Sequence, residues 1–440
     1  GEGNKEKQKS IFNVSVVLHL LIALIVGVVL LIAGYFFFNG ILNIPSDRIF
    51  AAQVVYGSLI VSTMFTVMTV PYDAVLNAHE NMLYYSIVGI VESVLKLSVA
   101  LIVVHTLSDK LIVYGILMAC IPLITMSIMR VYCHKHYEEC IIQPRRYWHR
   151  GLMKEMSSFA GWNLIRTSIT MTSAYGQGII LNHFFGVILN AAQGIAGQIN
   201  GQLQVLSSNM LKALNPILGK SAGANNKELL LKSTILGAKY SAALYLLVAI
   251  PIFIEAPYIL KIWLKNIPEW TIIFVRFQLL KSFIEFQFTT LPGAINATGK
   301  IKKYTIWSSI SNIMQLPVIY LFFKISFPPY SMYISTILFG NICVYIIAMH
   351  YAKLYYQLSI SVYFKKTLLP LYITTTLVMG LLYIVQSLFE INSIWRLLSF
   401  IILSILLFIL TFFIIGCTKE EKNLIFELKN TISNKIFHHN

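Results

Sequence analysis

Residues 77–104, NAHENMLYYSIVGIVESVLKLSVALIVV, return in altered form at residues 296–323 as NATGKIKKYTIWSSISNIMQLPVIYLFF. The two stretches align without a gap at a spacing of 219 residues, and each follows a proline at the end of an apolar run. Six of the 28 aligned positions are identical, namely Asn77/Asn296, Ala78/Ala297, Tyr85/Tyr304, Ile87/Ile306, Leu97/Leu316 and Val99/Val318. Because the same spacing superposes the apolar segments on both sides, the sequence predicts an internal repeat of the kind from which many transporters are built.

The composition indicates a membrane protein. The 440 residues are 57% hydrophobic and 12% charged, whereas about 25% charged is usual for soluble chains. Apolar blocks long enough to cross a bilayer read as helices, since a strand would leave its backbone polar groups without partners. The sequence therefore predicts an all-α polytopic membrane protein with twelve transmembrane helices in two pseudo-symmetric lobes. The blocks are 13–38, 49–70, 83–104, 111–130, 157–182, 184–209, 233–254, 270–295, 305–323, 330–349, 367–388 and 395–416.

The net charge of +16 is a topology signal and does not indicate nucleic-acid binding. Of the 34 Lys and Arg residues, 23 fall in segments on the same side as the N-terminus, 5 on the opposite side and 6 within the blocks. This is the positive-inside bias. It predicts that both ends of the chain face the cytoplasm.

The repeat spacing also predicts the division of the chain. It maps the first four blocks onto the seventh to the tenth and leaves the fifth and sixth without a counterpart. We therefore expect a parent protein of fourteen helices, of which this chain lacks about the first two. The predicted parts are a four-helix N-terminal lobe (1–145), a six-helix C-terminal lobe (146–356), an extra helix pair (357–418) and a cytoplasmic tail (419–440). In the tail, Leu424, Leu428, Ile432 and Ile436 would form the apolar face of an amphipathic helix.

Ionisable residues within the blocks are the first candidates for function, because each costs about 2.5–3.5 kcal/mol at mid-membrane. Apart from Arg396, which stands beside Trp395 at a helix end, the blocks contain five basic residues, Lys96, Arg166, Lys239, Arg276 and Lys281, and two acidic ones, Glu92 and Glu285. This surplus predicts a site for an anion. Arg166 is the leading candidate, since it has no acidic residue within one turn of its helix and a guanidinium suits phosphate geometry.

Other interpretations of these charges remain open. Glu92 with Lys96, and Lys281 with Glu285, stand four residues apart and could neutralise each other. Lys239 and Arg276 could extend towards the membrane surface, and Arg166 could pair with a neighbouring helix. Asp73, just after Pro71, is either a proton or ion site or a helix-capping carboxylate.

The sixth block is unusually polar for a membrane helix. Asn190, Gln193 and Gln204 fall near one face at helical spacing, together with two glycines and a serine. A polar stripe at that depth predicts a helix that lines a water-filled cavity. The alternative is that small and amide residues only allow close helix packing.

The five cysteines suggest no disulfide framework, and no cofactor or metal is expected. Cys133, His136 and Cys140 could share a helical face, but structural zinc sites usually show closer pairs of cysteines. We interpret this segment as a reduced cytoplasmic loop.

Several motifs carry a family resemblance over nearly the whole chain. They are VPYDAVLNAHENM (70–82) with IVESVLKL (90–97), NHFFGVILNAAQGIAGQI (182–199), ALNPILGKSAG (213–223), and IWLKNIPEW (262–270) followed by LPGAINATGKIKKY (291–304). With them the chain resembles the polysaccharide exporters, or O-antigen flippases, of the multidrug/oligosaccharidyl-lipid/polysaccharide superfamily, which is MATE-like. The expected absence of the first helix pair departs from the family, whose members carry important charged residues there.

The resemblance implies a transporter in the bacterial cytoplasmic (inner) membrane. It would flip a polyprenyl-pyrophosphate-linked oligosaccharide, a repeat unit of O-antigen (lipopolysaccharide) or capsule, by alternating access between two lobes. Membrane lipid, a glycan polymerase and a coupling proton or sodium ion would be its partners. In this interpretation Arg166, Lys281, Lys96, Arg276 and Lys239 bind the pyrophosphate. Asn190, Gln193 and Gln204 contact the glycan, and Glu92, Glu285 and Asp73 are candidates for ion coupling.

Two other functions compete with this prediction. A multidrug extrusion antiporter on the same fold would need acidic groups for cationic drugs, and the buried charges here are mostly basic. A membrane-embedded glycan polymerase or ligase would need a catalytic constellation on a sizeable outer loop. The predicted outer loops are about 16 residues or shorter, so we expect a protein that is not an enzyme.

Overall fold

The computed structural model describes residues 4–41, 46–388 and 393–423, and every regular element in these ranges is helical. The chain divides into two compact units, residues 1–161 and 162–440. The division falls inside a single long helix, so it differs in kind from a linker between domains. The predicted boundaries after residues 145, 356 and 418 stay predictions.

The described part of the first unit is a bundle of four long helices and one short one. Its elements are α1 (Lys5–Phe36) with a π turn (Phe37–Ile41), a 3₁₀ turn (Ser46–Arg48), α2 (Ile49–Ala78), α3 (Met82–His105), α4 (Lys110–His136) and α5 (Pro144–Tyr147). Helix α2 packs against both α1 and α4. A buried core that includes Phe12, Tyr72, Leu76 and Met129 joins these helices.

The second unit begins within α6 and holds the remaining helices. They are α6 (Arg150–Phe185), α7 (Val187–Gly223), α8 (Lys227–Trp263), α9 (Thr271–Phe286), α10 (Thr290–Ala297), α11 (Lys302–Lys324), α12 (Ser331–Ser335), α13 (Val344–Tyr356), α14 (Ile360–Tyr363), α15 (Leu369–Leu388) and α16 (Ile394–Thr411). Three π-helical segments, Thr336–Cys343, Phe364–Leu368 and Phe412–Gly416, continue helices without a break in the chain's course.

The predicted fold class is confirmed: the chain is an all-helical, multi-pass membrane protein. In the described ranges, nine helices are both long and apolar enough to cross a membrane. The other three predicted blocks correspond to α6, α7 and the α9–α10 pair. These three are helical over the predicted residues but more polar than the rest, and the reason emerges from the site that they form.

The eighth block is interrupted, which the apolar pattern did not predict. Helix α9 ends at Phe286, and α10 begins only at Thr290. Pro292 has no N–H to donate to the preceding turn, and Thr289 and Thr290 are β-branched, so both features weaken the helix here. At the interruption, the Gln287 N–H still donates to the Phe283 carbonyl, and the Tyr363 hydroxyl donates to the Gln287 carbonyl.

Similar polar lead-ins, Asn4-Lys5-Glu6 and Asn226-Lys227-Glu228, cap α1 and α8, which the repeat spacing aligns. The Asn4 side chain accepts a hydrogen bond from the Lys7 backbone N–H at 3.1 Å, and the Asn226 side chain accepts one from the Leu229 N–H at 3.0 Å. Asparagine is a preferred N-cap because its side chain satisfies an otherwise free backbone donor. The resemblance between the two lead-ins is therefore also a resemblance in local chemistry.

Two buried ion pairs connect α8 to the C-terminal segment. Helix α8 is the most deeply buried of the nine apolar helices. Near one end, Glu255 binds Arg396 of α16 at 2.5 Å, and their side chains are 1% and 10% exposed. Near the other end, the fully buried Lys239 binds Glu421 at 2.6 Å. Lys239 is therefore held in a buried ion pair. The predicted amphipathic face at Leu424–Ile436 lies outside the described residues.

Breaking the Glu255–Arg396 pair should destabilise the second unit. A Glu255→Gln variant leaves the Arg396 guanidinium buried without its counter-charge, which typically costs about 3–5 kcal/mol. We expect a clearly lower unfolding temperature in lipid nanodiscs. A Glu255→Leu, Arg396→Leu double variant should recover most of the loss, because replacing both charges with apolar groups is often neutral.

The control is a solvent-exposed ion pair. Lys5 and Glu138 lie 2.8 Å apart with side chains 71% and 72% exposed, so Glu138→Gln should leave the unfolding temperature unchanged. Equal shifts for Glu255→Gln and Glu138→Gln would contradict the assignment of the Glu255–Arg396 pair as a structural clamp.

A glycine of α8, Gly237, lies directly against the Leu214 side chain of α7. A Cβ at Gly237 would lie 2.2 Å from the Leu214 Cδ2 and 3.0 Å from the Thr290 Cγ2, whereas nothing lies within 4 Å of a Cβ at Gly219. Gly237→Leu should therefore force α7 and α8 apart and reduce the yield of folded protein. Gly219→Leu, on α7, should be tolerated. Size-exclusion chromatography of both variants checks this, and a normal profile for Gly237→Leu would contradict it.

Candidate functional site

A cavity of about 780 Å³ lies within the second unit. Its walls come from α6, α7, α9, α10, α11 and the π-helical segment that leads into α13. This volume is in the range of small-molecule binding sites, about 300–1,000 Å³. The three helical blocks that are too polar to qualify as apolar spans, α6, α7 and α9–α10, all contribute to the wall. Their polarity is thus concentrated at the cavity.

One face of α6 supplies a polar stripe. Arg166, Thr170, Ser173 and Gln177 follow one another at helical spacing and all line the cavity. A matching stripe runs along α11, formed by Tyr304, Ser308, Asn312 and Gln315.

The two stripes run side by side in the same direction. Arg166 lies beside the Tyr304 hydroxyl, and Gln177 donates to Gln315 at 2.7 Å. Arg166 and Gln177 are eleven residues apart on α6, and Tyr304 and Gln315 are eleven residues apart on α11. The two contacts therefore advance equally along both helices in the same direction. Helices α6 and α11 are therefore parallel neighbours.

Three charged side chains line the cavity: Arg166, Lys281 and Glu285. All three are half-buried. None of them forms an ion pair with any residue in the described part of the chain, although Lys281 and Glu285 stand one turn apart on α9. At their ordinary charges the wall carries one net positive charge. The possible self-neutralisation of Lys281 by Glu285 is not realised.

The π-helical segment Thr336–Cys343 supports the charged wall. A π-helix widens the turn and often occurs at functional sites. Here the Asn341 side chain donates to the Lys281 backbone carbonyl at 3.0 Å. A Cβ at Gly340 would lie 3.3 Å from the Gln315 side-chain oxygen, so the glycine lets the segment approach α11 closely.

The other predicted pyrophosphate ligands lie elsewhere. Lys239 is engaged by Glu421. Arg276 donates to the Phe253 carbonyl at 3.1 Å and lies over the Phe253 ring. Lys96, in the first unit, binds Glu92 at 2.6 Å, as the pairing alternative expected. Among the five basic candidates, the structure brings Arg166 and Lys281 together in one cavity.

The predicted glycan and coupling residues are likewise divided. Gln193 lines the cavity, while Gln204 donates to the Ser282 hydroxyl at 3.0 Å as a helix-packing contact. The Asn190 side-chain oxygen is buried without a hydrogen-bond partner in the described residues. Glu285 lines the cavity, whereas Asp73 lies in the first unit on α2, near Glu92.

The sequence analysis missed six amide residues of the cavity wall: Gln177, Gln278, Asn296, Asn312, Gln315 and Asn341. The signal was present in the spacing. Arg166, Ser173 and Gln177 share one helical face, and so do Ser308, Asn312 and Gln315. The search for charged residues passed over these neutral stripes.

The cysteine segment shows no feature of a metal centre. In the described ranges, no three His, Cys, Asp or Glu side chains are grouped so that they could hold a metal ion. Cys133 and Cys140 are both buried. The hydrogen bond with Cys133 and burial raise the pKa of Cys140, so that its thiol stays protonated.

Comparison with known proteins identifies the fold. The MatE family model matches residues 164–321, which run from α6 to α11 and contain most of the cavity wall. This match covers less than half of the chain. None of the curated proteins matches the chain in sequence.

Solved structures match over most of the chain. A crystal structure of MATE in complex with MaL6 is 15% identical, with a TM-score of 0.68 and 80% of each chain covered. A MOP superfamily transporter from Pyrococcus furiosus, with a binding pocket of reverse polarity, is 15% identical over 82% of this chain and 84% of that chain, with a TM-score of 0.68. An outward-facing multidrug resistance MATE transporter of the MOP superfamily matches over the same shares at 15% identity, with a TM-score of 0.66. The chain therefore has the fold of MATE/MOP superfamily transporters, and at this identity the likeness shows the fold alone.

The charge of the cavity predicts its reactivity towards charged reagents. In a protein with Cys120 and Cys343 replaced by serine, a Thr170→Cys variant places a thiol one turn from Arg166. An anionic methanethiosulfonate should label it several-fold faster than a cationic one, since a positive cleft concentrates anions. The labelling rate of each reagent is divided by its rate with a free thiol in solution, so that the intrinsic reactivities of the two reagents cancel.

Removing the guanidinium should abolish the preference. Arg166→Gln in the Thr170→Cys background should bring the two normalised rates close together. Equal rates before this change, or an unchanged preference after it, would contradict a cavity whose field is set by Arg166.

Proposed function

We propose that this protein is an exporter of an amphipathic molecule with an anionic head group, and that the cavity of the second unit binds that head group. The observation that carries the proposal is the presence of Arg166 and Lys281 in one cavity, with Glu285 as the only carboxylate among the described residues of its wall. Guanidinium and ammonium groups that form no ion pair among the described residues favour a phosphate or diphosphate as partner.

A polyprenyl-pyrophosphate-linked oligosaccharide fits this cavity best. Its diphosphate would meet Arg166 and Lys281, and the amide and hydroxyl groups of α6 and α11 would meet the sugars. The membrane-embedded position of these helices suits a substrate whose lipid tail stays in the bilayer. The motifs quoted above support the same substrate.

Extrusion of cationic drugs is the second candidate, and the comparisons favour it over oligosaccharide flipping. The solved structures of this fold include a multidrug resistance transporter, and Glu285 offers a carboxylate to a cation. For the transporter from Pyrococcus furiosus, however, a reverse polarity of the binding pocket suggests a different function. The fold thus accommodates pockets of either polarity, so the charge of the wall is the more informative observation here.

The topology, the membrane, the protein partner and the coupling ion are also part of this proposal. The positive-inside bias supports cytoplasmic ends, and the family resemblance supports a bacterial cytoplasmic membrane and a glycan polymerase as partner. Alternating access would be driven by a proton or sodium gradient, with Glu285 in the cavity and Asp73 and Glu92 in the first unit as candidates.

Binding measurements separate the two substrate classes. In lipid nanodiscs, Arg166→Ala and Lys281→Ala should each weaken the binding of farnesyl diphosphate by about 10–100-fold, since a hydrogen bond to a charged group is worth about 1.5–3 kcal/mol. Glu285→Gln should strengthen it. Ethidium, a cationic dye, should bind weakly to all of these proteins.

The opposite pattern would establish drug extrusion. Tight ethidium binding that Glu285→Gln abolishes, with no effect of Arg166→Ala on farnesyl diphosphate, would overturn the proposal. The matched control is Arg276→Ala, because it removes a guanidinium that contacts Phe253 outside the cavity wall. This variant should bind farnesyl diphosphate as the wild type does. In cells, Arg166→Ala should abolish a surface glycan that depends on the protein.

A further inference from the structure

Four amide side chains of the cavity form a cluster that the proposed anion site does not use. Gln177 of α6, Gln193 of α7 and Asn312 and Gln315 of α11 all line the same cavity as Arg166. Gln315 is only 2% exposed and lies at the centre of the cluster. The other three are half-buried against the cavity.

One backbone carbonyl fixes the orientation of this cluster. The Gln315 Nε2 donates to the Asn312 carbonyl at 2.6 Å and to the Asn312 Oδ1 at 2.9 Å. A backbone carbonyl can only accept, so the Gln315 amide cannot be reversed. Its Oε1 must therefore face Gln177, whose Nε2 donates to it at 2.7 Å. Gln315 thus uses both donors and its acceptor within the protein.

This arrangement leaves one acceptor and one donor directed away from Gln315. The Gln177 Oε1 and the Asn312 Nδ2 have no hydrogen-bond partner in the described residues, and Gln193 has none for either end of its amide. None of these atoms is sealed from solvent without a partner. These atoms are open to the cavity. They offer both hydrogen-bond acceptors and hydrogen-bond donors, and all of them are uncharged.

Hydroxyl groups are the ligands that match such a set. A hydroxyl donates one hydrogen bond and accepts two, so it can pair with an acceptor and a donor at once. A diphosphate can only accept, and an alkylammonium can only donate, so each would leave half of the set unpaired. A saccharide presents several hydroxyls in a row and would satisfy it.

We propose that Gln177, Gln193 and Asn312 form an uncharged subsite for the hydroxyl groups of a saccharide, with Gln315 as the positioning residue. This inference rests on the proposed function in that it places the sugar of the same substrate. Gln177 follows Arg166 by eleven residues on α6, which is about 16 Å along the helix axis. The subsite is therefore separate from Arg166 and lies at a different level of the same cavity wall.

The test compares three probes in lipid nanodiscs: farnesyl diphosphate, farnesyl diphosphate carrying a disaccharide, and the uncharged dodecyl maltoside. In the wild type, the disaccharide should increase affinity over the bare diphosphate. Gln177→Leu and Asn312→Leu should each reduce that gain about tenfold, the size expected for one or two lost hydrogen bonds. Binding of the bare diphosphate should change less than about twofold, which also shows that the variants are folded.

Gln315→Leu should have the same effect although its amide does not face the ligand, because Gln177 and Asn312 would lose their orientation. A purely structural role would weaken the disaccharide lipid and the bare diphosphate equally. The matched control is Gln202→Leu, which removes an exposed amide of α7 outside the cavity wall and should alter neither ligand.

The outcomes separate the two proposals. Equal losses for both lipids in the amide variants, or no loss for either, would overturn the saccharide subsite and leave the anion site standing. If Arg166→Ala and Lys281→Ala do not affect farnesyl diphosphate, the anion site is overturned. Dodecyl maltoside binding that falls in Gln177→Leu would then still support the subsite, because this probe carries no charge.

Discussion

The packing of the second unit depends on ion pairs that neutralise charged residues of a membrane helix, because an unpaired charge there is costly. Helix α8 carries Lys239 and Glu255 about four turns apart, and both side chains are almost fully buried. Each finds its counter-charge in the C-terminal segment, in Glu421 and Arg396. Removing either partner would leave an uncompensated charge in a low-dielectric interior. These pairs hold the C-terminal segment against α8. The other helices that contact α8 therefore need not supply counter-charges for Lys239 and Glu255.

The charges of the cavity are separate from these pairs. Lys239 and Glu255 pair with the C-terminal segment, whereas Arg166, Lys281 and Glu285 form no ion pair among the described residues and line an open volume. Polar residues then accumulate on α6, α7 and α9–α10, which is why these helices fall below the hydropathy of ordinary spans. The same helices would be poor membrane segments in isolation. They are stable here because their polar faces meet one another and water.

Much of the fold followed from the sequence, and less of the site did. The length of the apolar blocks predicted the helical segments, because helix formation in a bilayer depends on local composition. It did not predict the interruption between α9 and α10. The search for isolated charges led to Arg166 and Lys281. It could not separate them from Lys239, whose partner Glu421 is 182 residues away along the chain. It also placed Gln204 in the cavity, whereas this side chain contacts Ser282 of another helix. Tertiary pairing of this kind is not encoded in any local spacing.

The repeat itself shows the limit of inference by symmetry. Its spacing of 219 residues aligns Tyr85 with Tyr304 and Lys96 with Gln315. Tyr304 and Gln315 both line the cavity, and the repeat aligns them with positions on one face of α3. That face carries a bound pair, Lys96 with Glu92, where the second copy carries neutral amides. The helix is thus repeated while its chemistry is not. A neutral stripe on α11 leaves the charged groups of the cavity wall to α6 and α9, so the charged residues and the amide cluster occupy different parts of one wall.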